Sequence, residues 1–331
     1  MSPRVLGASL AVATPALVVG SVAVGEFAVA PLDVLVTLAG AGDDATGFIV
    51  LDLRLPRALT AALAGAALGV AGAVFQRVTR NPLASPDIVG VAGGASVAAV
   101  ALIVFSGSSG AALVPLAALA GALVSGAALY GLAWRGGVQG YRLVLVGIGL
   151  AAFAQAGVGY VLTEGRIFEV AAAYVWLVGS LNGRGWEQVW PLALTLVLAL
   201  PAVAALARRI DVLELGDDLA RSLGLHVERS RLALLAVAVV LTGVSVSATG
   251  PVGFVAFISP HLARRISGAT SNQALLPIAA GCGAVLVLAA DLAGRMLFAP
   301  SEIPVGIVTS VLAAPYFLVL LRRANRVGAA G

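Results

Sequence analysis

The chain has 331 residues, of which 60% are hydrophobic and 11% are charged, and its mean hydropathy is +1.03. Soluble domains carry about 45–50% apolar and about 25% charged residues, so this composition excludes a water-soluble protein. All 20 lysine-plus-arginine positions hold arginine; the basic pI of 9.8 does not indicate a nucleic-acid partner, because no polar domain could carry a basic face. We predict an all-α polytopic membrane protein whose residues 1–331 form a single transmembrane domain.

Apolar runs separated by charged residues, glycine or proline predict about ten transmembrane helices, because a span takes about 20 residues. The predicted spans are 6–28, 57–76, 88–106, 111–133, 143–163, 189–207, 232–249, 252–263, 274–294 and 305–321. The first run also resembles a secretory signal with the cleavage-like string Ala28-Val29-Ala30. Its uncharged stretch of 21 residues is longer than the about 7–15 of a signal, which favours a retained span.

Arginine is distributed unevenly between the two sides of these spans. With the N-terminus inside, 15 arginines fall on the inner side and five on the outer side, and the outer ones are Arg54, Arg57, Arg166, Arg184 and Arg295. Basic residues collect in cytoplasmic loops. The distribution therefore predicts a multi-pass protein of the cell (inner or plasma) membrane, with an even number of spans and both termini cytoplasmic.

Two segments differ from simple spans. Between the fifth and sixth spans, the apolar stretch 171–181 is too short to cross, which predicts a short helix dipping from the outer face. The charged inner loop 208–231 predicts a second short helix: Asp217 and Asp218 suit a helix start, and Gly224 suits its end. Leucines at 215, 219 and 223 repeat every four residues, so the helix could fit a partner's groove or lie on lipid headgroups.

Local signals in the second and third spans predict packing and capping. Gly65, Gly69 and Gly72 lie along one side of the second span, where small residues let helices approach closely. In the inner turn that follows, Ser85 suits the N-cap of the third span and Pro86 suits its first helical position.

Five motifs follow one another along the chain. They are Leu55-Pro56-Arg57 with Asn81-Pro82-Leu83-Ala84-Ser85-Pro86-Asp87; Trp176 with Gly179-Ser180-Leu181; Leu215-Gly216 with Leu223-Gly224; Gly250-Pro251 with Pro260-His261; and Asp291, Arg295 and Glu302 with Pro304-Val305-Gly306. In this order they resemble the FecCD-type permeases of binding-protein-dependent ABC importers for iron–siderophore complexes, haem and vitamin B12. Ala256-Phe257 and Ala313 depart from that pattern while keeping small or apolar character. The resemblance implies ten helices per subunit and a dimer around a central pathway.

The energy source must lie in another polypeptide if transport is ATP-driven. A P-loop requires a lysine, and the chain has none. We therefore expect no cofactor and no catalytic residue in this chain, with ATP bound by a separate ABC ATPase subunit. The resemblance implies that this ATPase docks on the inner-loop residues Leu215, Gly216, Asp217, Asp218, Leu219, Arg221, Leu223 and Gly224.

The resemblance also implies that Arg54, Arg57 and Arg295 bind glutamates of a periplasmic or lipoprotein substrate-binding protein, although outer arginines can also be simple anchors. Asp291 could pair with Arg295 one helical turn away.

No metal site is expected, because His261 has no second ligand nearby and iron stays inside its chelate; a structural hydrogen bond is the favoured role of His261. Candidates for the pathway or its gate are Gln76, Gly147, Gly149, Gly157, His261, Gly306 and Thr309; Gln76 could equally hydrogen-bond between helices.

These observations favour a permease subunit that moves ferric-siderophore complexes from the periplasm or cell exterior to the cytoplasm. Its expected partners are the ATPase, the binding protein, a second permease copy or paralogue, and membrane lipid. One alternative is the same machinery importing cobalamin or haem. A second is a secondary, ion-coupled transporter, which is disfavoured because nearly every charge lies at a span end. A third is an intramembrane enzyme, for which no nucleophile–base pair or HExxH motif is present.

Overall fold

The computed structural model describes residues 2–25, 27, 29–107, 112–268 and 271–328, with side chains to residue 317. Ala28 of the signal-like string lies outside these residues. Within them the chain forms fourteen α-helices, with a π-helical segment Phe48–Arg54 between the third and fourth. The helices are α1 Pro3–Ala23, α2 Pro31–Leu38, α3 Asp44–Gly47, α4 Leu55–Thr79, α5 Val91–Ser106, α6 Val114–Ala133, α7 Gly140–Glu164, α8 Ile167–Leu177, α9 Trp186–Glu214, α10 Asp217–Ser222, α11 Val227–Thr249, α12 Val255–Ser267, α13 Asn272–Met296 and α14 Val305–Gly328.

A helix coincides with each of the ten predicted spans, so the expectation of an all-α polytopic protein is confirmed. Seven helices in the described part of the chain are long and apolar enough to cross a membrane, when α3, the π-helical segment and α4 count as one. The helices at the third and eighth predicted spans are shorter, with 16 residues in α5 and 13 in α12.

Helix α4 lies at the centre of the bundle, where it packs against α9, α11, α12 and α13. Its three glycines make this packing possible. A Cβ atom at Gly65 would lie 2.3 Å from the Gly283 carbonyl oxygen, and one at Gly72 would lie 1.7 Å from that of Ala256. At Gly69 the same atom would lie 2.2 Å from the Ala279 carbonyl oxygen. The predicted close approach of small residues is confirmed, because any side chain at these positions would push the helices apart.

The predicted cap of the third span is wrong. Helix α5 begins at Val91, and its N-cap is Gly90 in a left-handed conformation with φ +80°. The Ser85 hydroxyl is buried without a hydrogen-bond partner among the described residues. Tertiary packing decides the boundary: the Ser125 hydroxyl donates to the Gly90 carbonyl oxygen at 2.8 Å, and a Cβ at Gly90 would lie 2.8 Å from the Ala151 nitrogen.

The two short helices predicted outside the spans are present. Helix α8 occupies the segment between the fifth and sixth spans, and α10 lies in the charged inner loop. Gly224 has φ +82°, and the N–H of Leu225 donates to the Ala220 carbonyl oxygen at 3.0 Å, so its predicted position after the helix end is confirmed. The helices α2 and α3 and the π-helical segment were not predicted. Helix α2 and the π-helical segment pack on the bundle through the fully buried Val34 and Val50, and α3 contacts the π-helical segment.

Candidate functional site

Helix α10 and the residues that flank it present an apolar surface that no other described part of the chain covers. Leu215, Leu219 and Leu223 are 58%, 50% and 60% exposed, whereas Ala220 on the opposite side is fully buried. We call the three exposed leucines the leucine face. Large apolar side chains in the middle of a charged loop are costly to leave in water, so the leucine face is a candidate partner surface.

The two aspartates at the start of α10 have different surroundings. Asp218 is fully exposed and pairs with Arg221 across one helical turn at 3.2 Å. Asp217 points into the protein, where both of its carboxylate oxygens accept from Nη2 of Arg231, at 2.9 and 3.1 Å. Nη2 of Arg80 donates to the same carboxylate. Gly216, with φ +109°, permits the sharp entry into the helix that turns Asp217 inward.

Arg231 in the first turns of α11 is the largest fully buried side chain in the described part of the protein. Besides Asp217, its guanidinium donates to Glu228 Oε1 at 3.2 Å and to the Val138 carbonyl oxygen. Glu228 Oε2 in turn accepts from the Val138 N–H at 3.1 Å. A buried cation is tolerated only with such partners. No local pattern in the sequence predicts this burial, because Arg231 has the same kind of neighbours as the other arginines of the loop 208–231.

A second polar connection joins the ends of three spans on the side predicted to be cytoplasmic. Arg77 near the end of α4 donates to Glu214 Oε1 at 2.6 Å. Asn272 Nδ2 at the start of α13 donates to Asp211 Oδ1 at 2.6 Å and to Glu214 Oε2 at 3.4 Å. The inner ends of α4, α9 and α13 are therefore held together by side chains that sequence analysis did not single out.

Gln76 and His261 meet at the contact between α4 and α12. Gln76 Nε2 donates to the Phe257 carbonyl oxygen at 3.1 Å, and Gln76 Oε1 accepts from Arg264 Nη2 at 2.7 Å. The same Arg264 nitrogen lies 2.6 Å from His261 Nδ1. A protonated guanidinium can only donate, so Nδ1 accepts and the ring proton is on Nε2. The hydrogen bond predicted for His261 is confirmed, and Gln76 hydrogen-bonds between helices.

The other pathway candidates occupy different surroundings. Gly147 and Gly306 are packed tightly, since a Cβ would lie 2.6 Å from Val89 Cβ in the first case and 2.0 Å from the Val178 carbonyl oxygen in the second. Thr309 is buried and donates to the Gly306 carbonyl oxygen at 3.1 Å. A Cβ at Gly157 would lie 3.4 Å from Val97 Cγ2, and a Cβ at Gly149 would have no neighbour within 4 Å. Their assignment to a pathway stays a prediction.

At the end of the bundle that is predicted to face outward, two arginines share one buried aspartate. Arg57 donates to Asp291 Oδ1 at 2.9 Å, and Arg295 Nε lies 3.2 Å from Asp291 Oδ2. Arg57 also pairs with the half-exposed Glu302 at 3.0 Å. The predicted Asp291–Arg295 pair is confirmed. We call Arg57, Asp291, Arg295 and Glu302 the outer arginine cluster.

Backbone carbonyl groups bind Arg54, in place of the carboxylate that Arg57 and Arg295 share. Its guanidinium donates to the carbonyl oxygens of Val22, at 2.9 Å, and Phe27, at 2.7 Å. Arg295 likewise donates to Ser21 Oγ at 2.6 Å and to the Val24 carbonyl oxygen at 3.2 Å. These bonds fix the end of α1 against α4 and α13. All three predicted docking arginines therefore have partners within the chain.

A large cavity of about 1180 Å³ opens beside α8. Its wall combines Trp176 with polar side chains, among them Arg166, Glu169, Arg184, Glu187 and Gln188. Burial lowers the pKa of Arg184, and Glu187 partly offsets this effect. Because the charges in the wall include both signs, they do not specify an anionic or a cationic ligand. Among the described residues, no group of three histidine, cysteine, aspartate or glutamate side chains could hold a metal ion.

Comparisons with known proteins agree with this architecture. The sequence profile of the FecCD transport family matches residues 13–323. The chain is 44% identical to the ferric enterobactin transport system permease protein FepG of Escherichia coli, covering 88% of each chain. It is 42% identical to the Fe(3+)-citrate import system permease protein YfmE of Bacillus subtilis, covering 95% of this chain and 93% of the relative. A solved inward-facing ABC transporter assigned to the metal-chelate type is 27% identical, with a TM-score of 0.83 over 97% of this chain and 99% of the other.

Proposed function

The chain belongs to the FecCD transport family, and on this premise we propose that it is the membrane-spanning permease subunit of an ABC importer for ferric chelates of the siderophore class. The observation that carries the proposal is its identity of more than 40% to permeases of ferric enterobactin and Fe(3+)-citrate, along about nine-tenths of each chain. Charges at the ends of the helices, not within them, fit a passage for a bulky chelate that needs no protein ligand for iron.

Uptake into proteoliposomes tests this function. The permease is reconstituted with its ATPase and substrate-binding protein, and ⁵⁵Fe-labelled ferric enterobactin, ferric citrate, haem and labelled cobalamin are offered in turn. We expect ATP-dependent uptake of a ferric chelate and no uptake when ATP is replaced by a non-hydrolysable analogue. Uptake of only cobalamin or haem would contradict the substrate class. Uptake driven by an ion gradient without ATP would favour a secondary transporter.

The ATPase subunit is expected to bind at the leucine face. This surface is apolar, lies in the charged loop 208–231 and is centred on the six-residue helix α10, which suits insertion into a partner's groove. The exposed Asp218 and Arg221 can contribute polar contacts at its edge. ATP hydrolysis would then take place in the partner, and this chain would not itself be an enzyme.

The substrate-binding protein is expected to bind at the outer arginine cluster together with Arg54. Arg57 is already paired with Glu302, whose side chain is 37% exposed. A glutamate of the binding protein could therefore replace Glu302 as the outer partner of Arg57 without an additional buried charge. Because one carboxylate at the edge of the interface only replaces another, we expect this contact to orient the binding protein more than it adds affinity.

The second permease, a copy or a paralogue, is expected to cover the exposed faces of α7 and α14. Large apolar side chains on these helices face outward from the single chain, among them Tyr141, Phe153, Tyr160, Val311 and Leu312. Lipid could cover such faces equally well. Cross-linking between cysteines introduced at Phe153 in two copies would distinguish the two, because lipid cannot give a covalent dimer.

The orientation of the protein can be tested with a membrane-impermeant maleimide. The one native cysteine, Cys282, is buried, so a Cys282→Ser chain provides a suitable background. We expect a cysteine introduced at Asp44 to react in intact spheroplasts and one introduced at Asp218 to react only after the membrane is opened. This result would place α10 in the cytoplasm and the start of α3 on the outer side, as the arginine distribution predicts. The reverse labelling pattern would invert the topology and remove the ATPase surface from the cytoplasm.

A further inference from the structure

We propose that Asp217 is a positioning residue that transmits movement of the leucine face to the inner ends of α4 and α11. The inference rests on the proposed function, because it assumes that an ATPase pushes or pulls on α10. It separates the two aspartates of α10 by role: Asp218 faces the partner, whereas Asp217 connects the helix to the bundle.

The first step is the weakness of every other attachment of α10. The helix has six residues, and Ala220 is its one buried side chain. A helix this short is not stable by itself. Covalent continuity links it to α9 through Leu215-Gly216 and to α11 through residues 223–226, and Gly216 and Gly224 both adopt left-handed conformations. Without a side-chain connection, the leucine face could therefore move while the spans stayed in place.

The second step is that Asp217 connects α10 to several other elements through its hydrogen bonds. Arg80 directly follows α4, and its guanidinium has Asp217 as its hydrogen-bond partner. Arg231 lies in α11 and connects the same carboxylate to Glu228 and to the Val138 carbonyl oxygen in the turn before α7. One carboxylate thus joins α10 to the ends of α4 and α11 and to the turn between α6 and α7.

The third step is the position of α4 in the bundle. Because Gly65, Gly69 and Gly72 bring its backbone against α13 and α12, α4 cannot tilt without displacing both. Gln76, one turn before Arg80, donates to the Phe257 carbonyl oxygen in α12. A displacement of Arg80 would therefore reach the middle of the bundle through contacts that are close-packed and poorly compressible.

The experiment compares Asp217→Asn with wild type in proteoliposomes that contain the ATPase and the binding protein. The measured quantity is the number of ⁵⁵Fe-labelled ferric enterobactin or ferric citrate molecules imported per ATP hydrolysed. The variant keeps the shape of the side chain but removes the charge and turns an amide N–H toward the guanidinium groups. We expect this ratio to fall about tenfold, within the about 2- to 30-fold range typical of residues in coupling networks, while the ATPase still co-purifies.

Two comparisons make the result specific. Asp44→Asn removes an exposed carboxylate at the start of α3, far from α10 in the sequence, and should leave the import-to-hydrolysis ratio at the wild-type value. Asp218→Asn removes a carboxylate that faces the partner, so it should weaken ATPase binding while the complexes that assemble import at the wild-type ratio. A role of Asp217 in folding alone would lower the amount of assembled complex and its unfolding temperature but leave the ratio of the surviving complexes unchanged, which would overturn the proposal.

If Asp217→Asn does not assemble, Arg80→Gln decides the question. Arg80 is 41% exposed, and its replacement leaves the buried Arg231–Asp217 pair in place. A reduced import-to-hydrolysis ratio in Arg80→Gln, restored by Arg80→Lys, supports the connection, and an unchanged ratio overturns it. Absence of ATP-dependent uptake by the wild-type complex would instead overturn the proposed function.

Discussion

Replacing Leu219 and Leu223 together by aspartate should abolish binding of the ATPase subunit and, with it, uptake. Central apolar residues of an interface cost about 2 kcal/mol or more each when truncated, which is about 30-fold each in affinity. Introducing two carboxylates into an apolar groove adds a desolvation cost. We therefore expect affinity to fall by at least about 100-fold, measured by co-purification of the ATPase and by its binding to the detergent-solubilised permease.

The fold should survive this change, because both side chains are already at least half exposed and contribute little to the core. Leu297→Asp is a matched control, since Leu297 is 66% exposed but lies beyond the outer end of α13. It should leave ATPase binding unaffected. Unchanged co-purification in the Leu219→Asp, Leu223→Asp variant would show that the ATPase binds elsewhere on the inner side.

Helix α10 shows which features of the structure can be predicted from neighbouring residues in the sequence and which cannot. Its start at two aspartates, its leucine repeat and its terminal glycine could all be predicted, because dipole interactions and left-handed caps depend on neighbouring residues alone. What could not be predicted is which aspartate turns inward. That choice depends on Arg80 and Arg231, which lie 137 and 14 residues away from Asp217.

The same limit explains the two places where sequence reasoning fell short. Ser85 and Pro86 carry good local signals for a helix start, yet α5 begins at Val91 because Gly90 packs against α7. The outer segment from α2 to the π-helical segment lacks the length and apolar periodicity of a span. Its order depends on packing against α1 and α4, as the buried Val34 and Val50 show.

The docking arginines are a third case: their positions could be predicted from the sequence, but most of their ion pairs could not. Sequence position placed Arg57 and Arg295 at the ends of two spans on one side of the membrane, and they lie at the start of α4 and near the end of α13. Their engagement with Asp291 and Glu302 arises from the packing of α4 against α13 and from the loop before α14. A docking partner therefore meets an arginine that is already neutralised, which favours exchange of partners over capture by free charges.

Asp291→Ala should destabilise the permease far more than Glu302→Ala, although both carboxylates pair with Arg57. Asp291 is 2% exposed and lies between Arg57 and Arg295, so its removal leaves two largely buried cations without their shared partner. Breaking a buried pair costs about 3–5 kcal/mol. Glu302 is 37% exposed, and such surface pairs contribute about 0–1 kcal/mol. Thermal unfolding of the purified variants in one detergent measures the difference.

The same two variants separate stability from docking. Glu302→Ala leaves Nη1 of Arg57 without its carboxylate, so a glutamate of the substrate-binding protein would no longer have to displace one. We expect capture of the binding protein by this variant to be equal to or tighter than that of the wild type, with a nearly unchanged unfolding temperature. Weaker capture would mean that Glu302 itself contacts the partner and that Arg57 is not the docking cation. Equal unfolding temperatures for Asp291→Ala and Glu302→Ala would show that burial does not distinguish the two pairs.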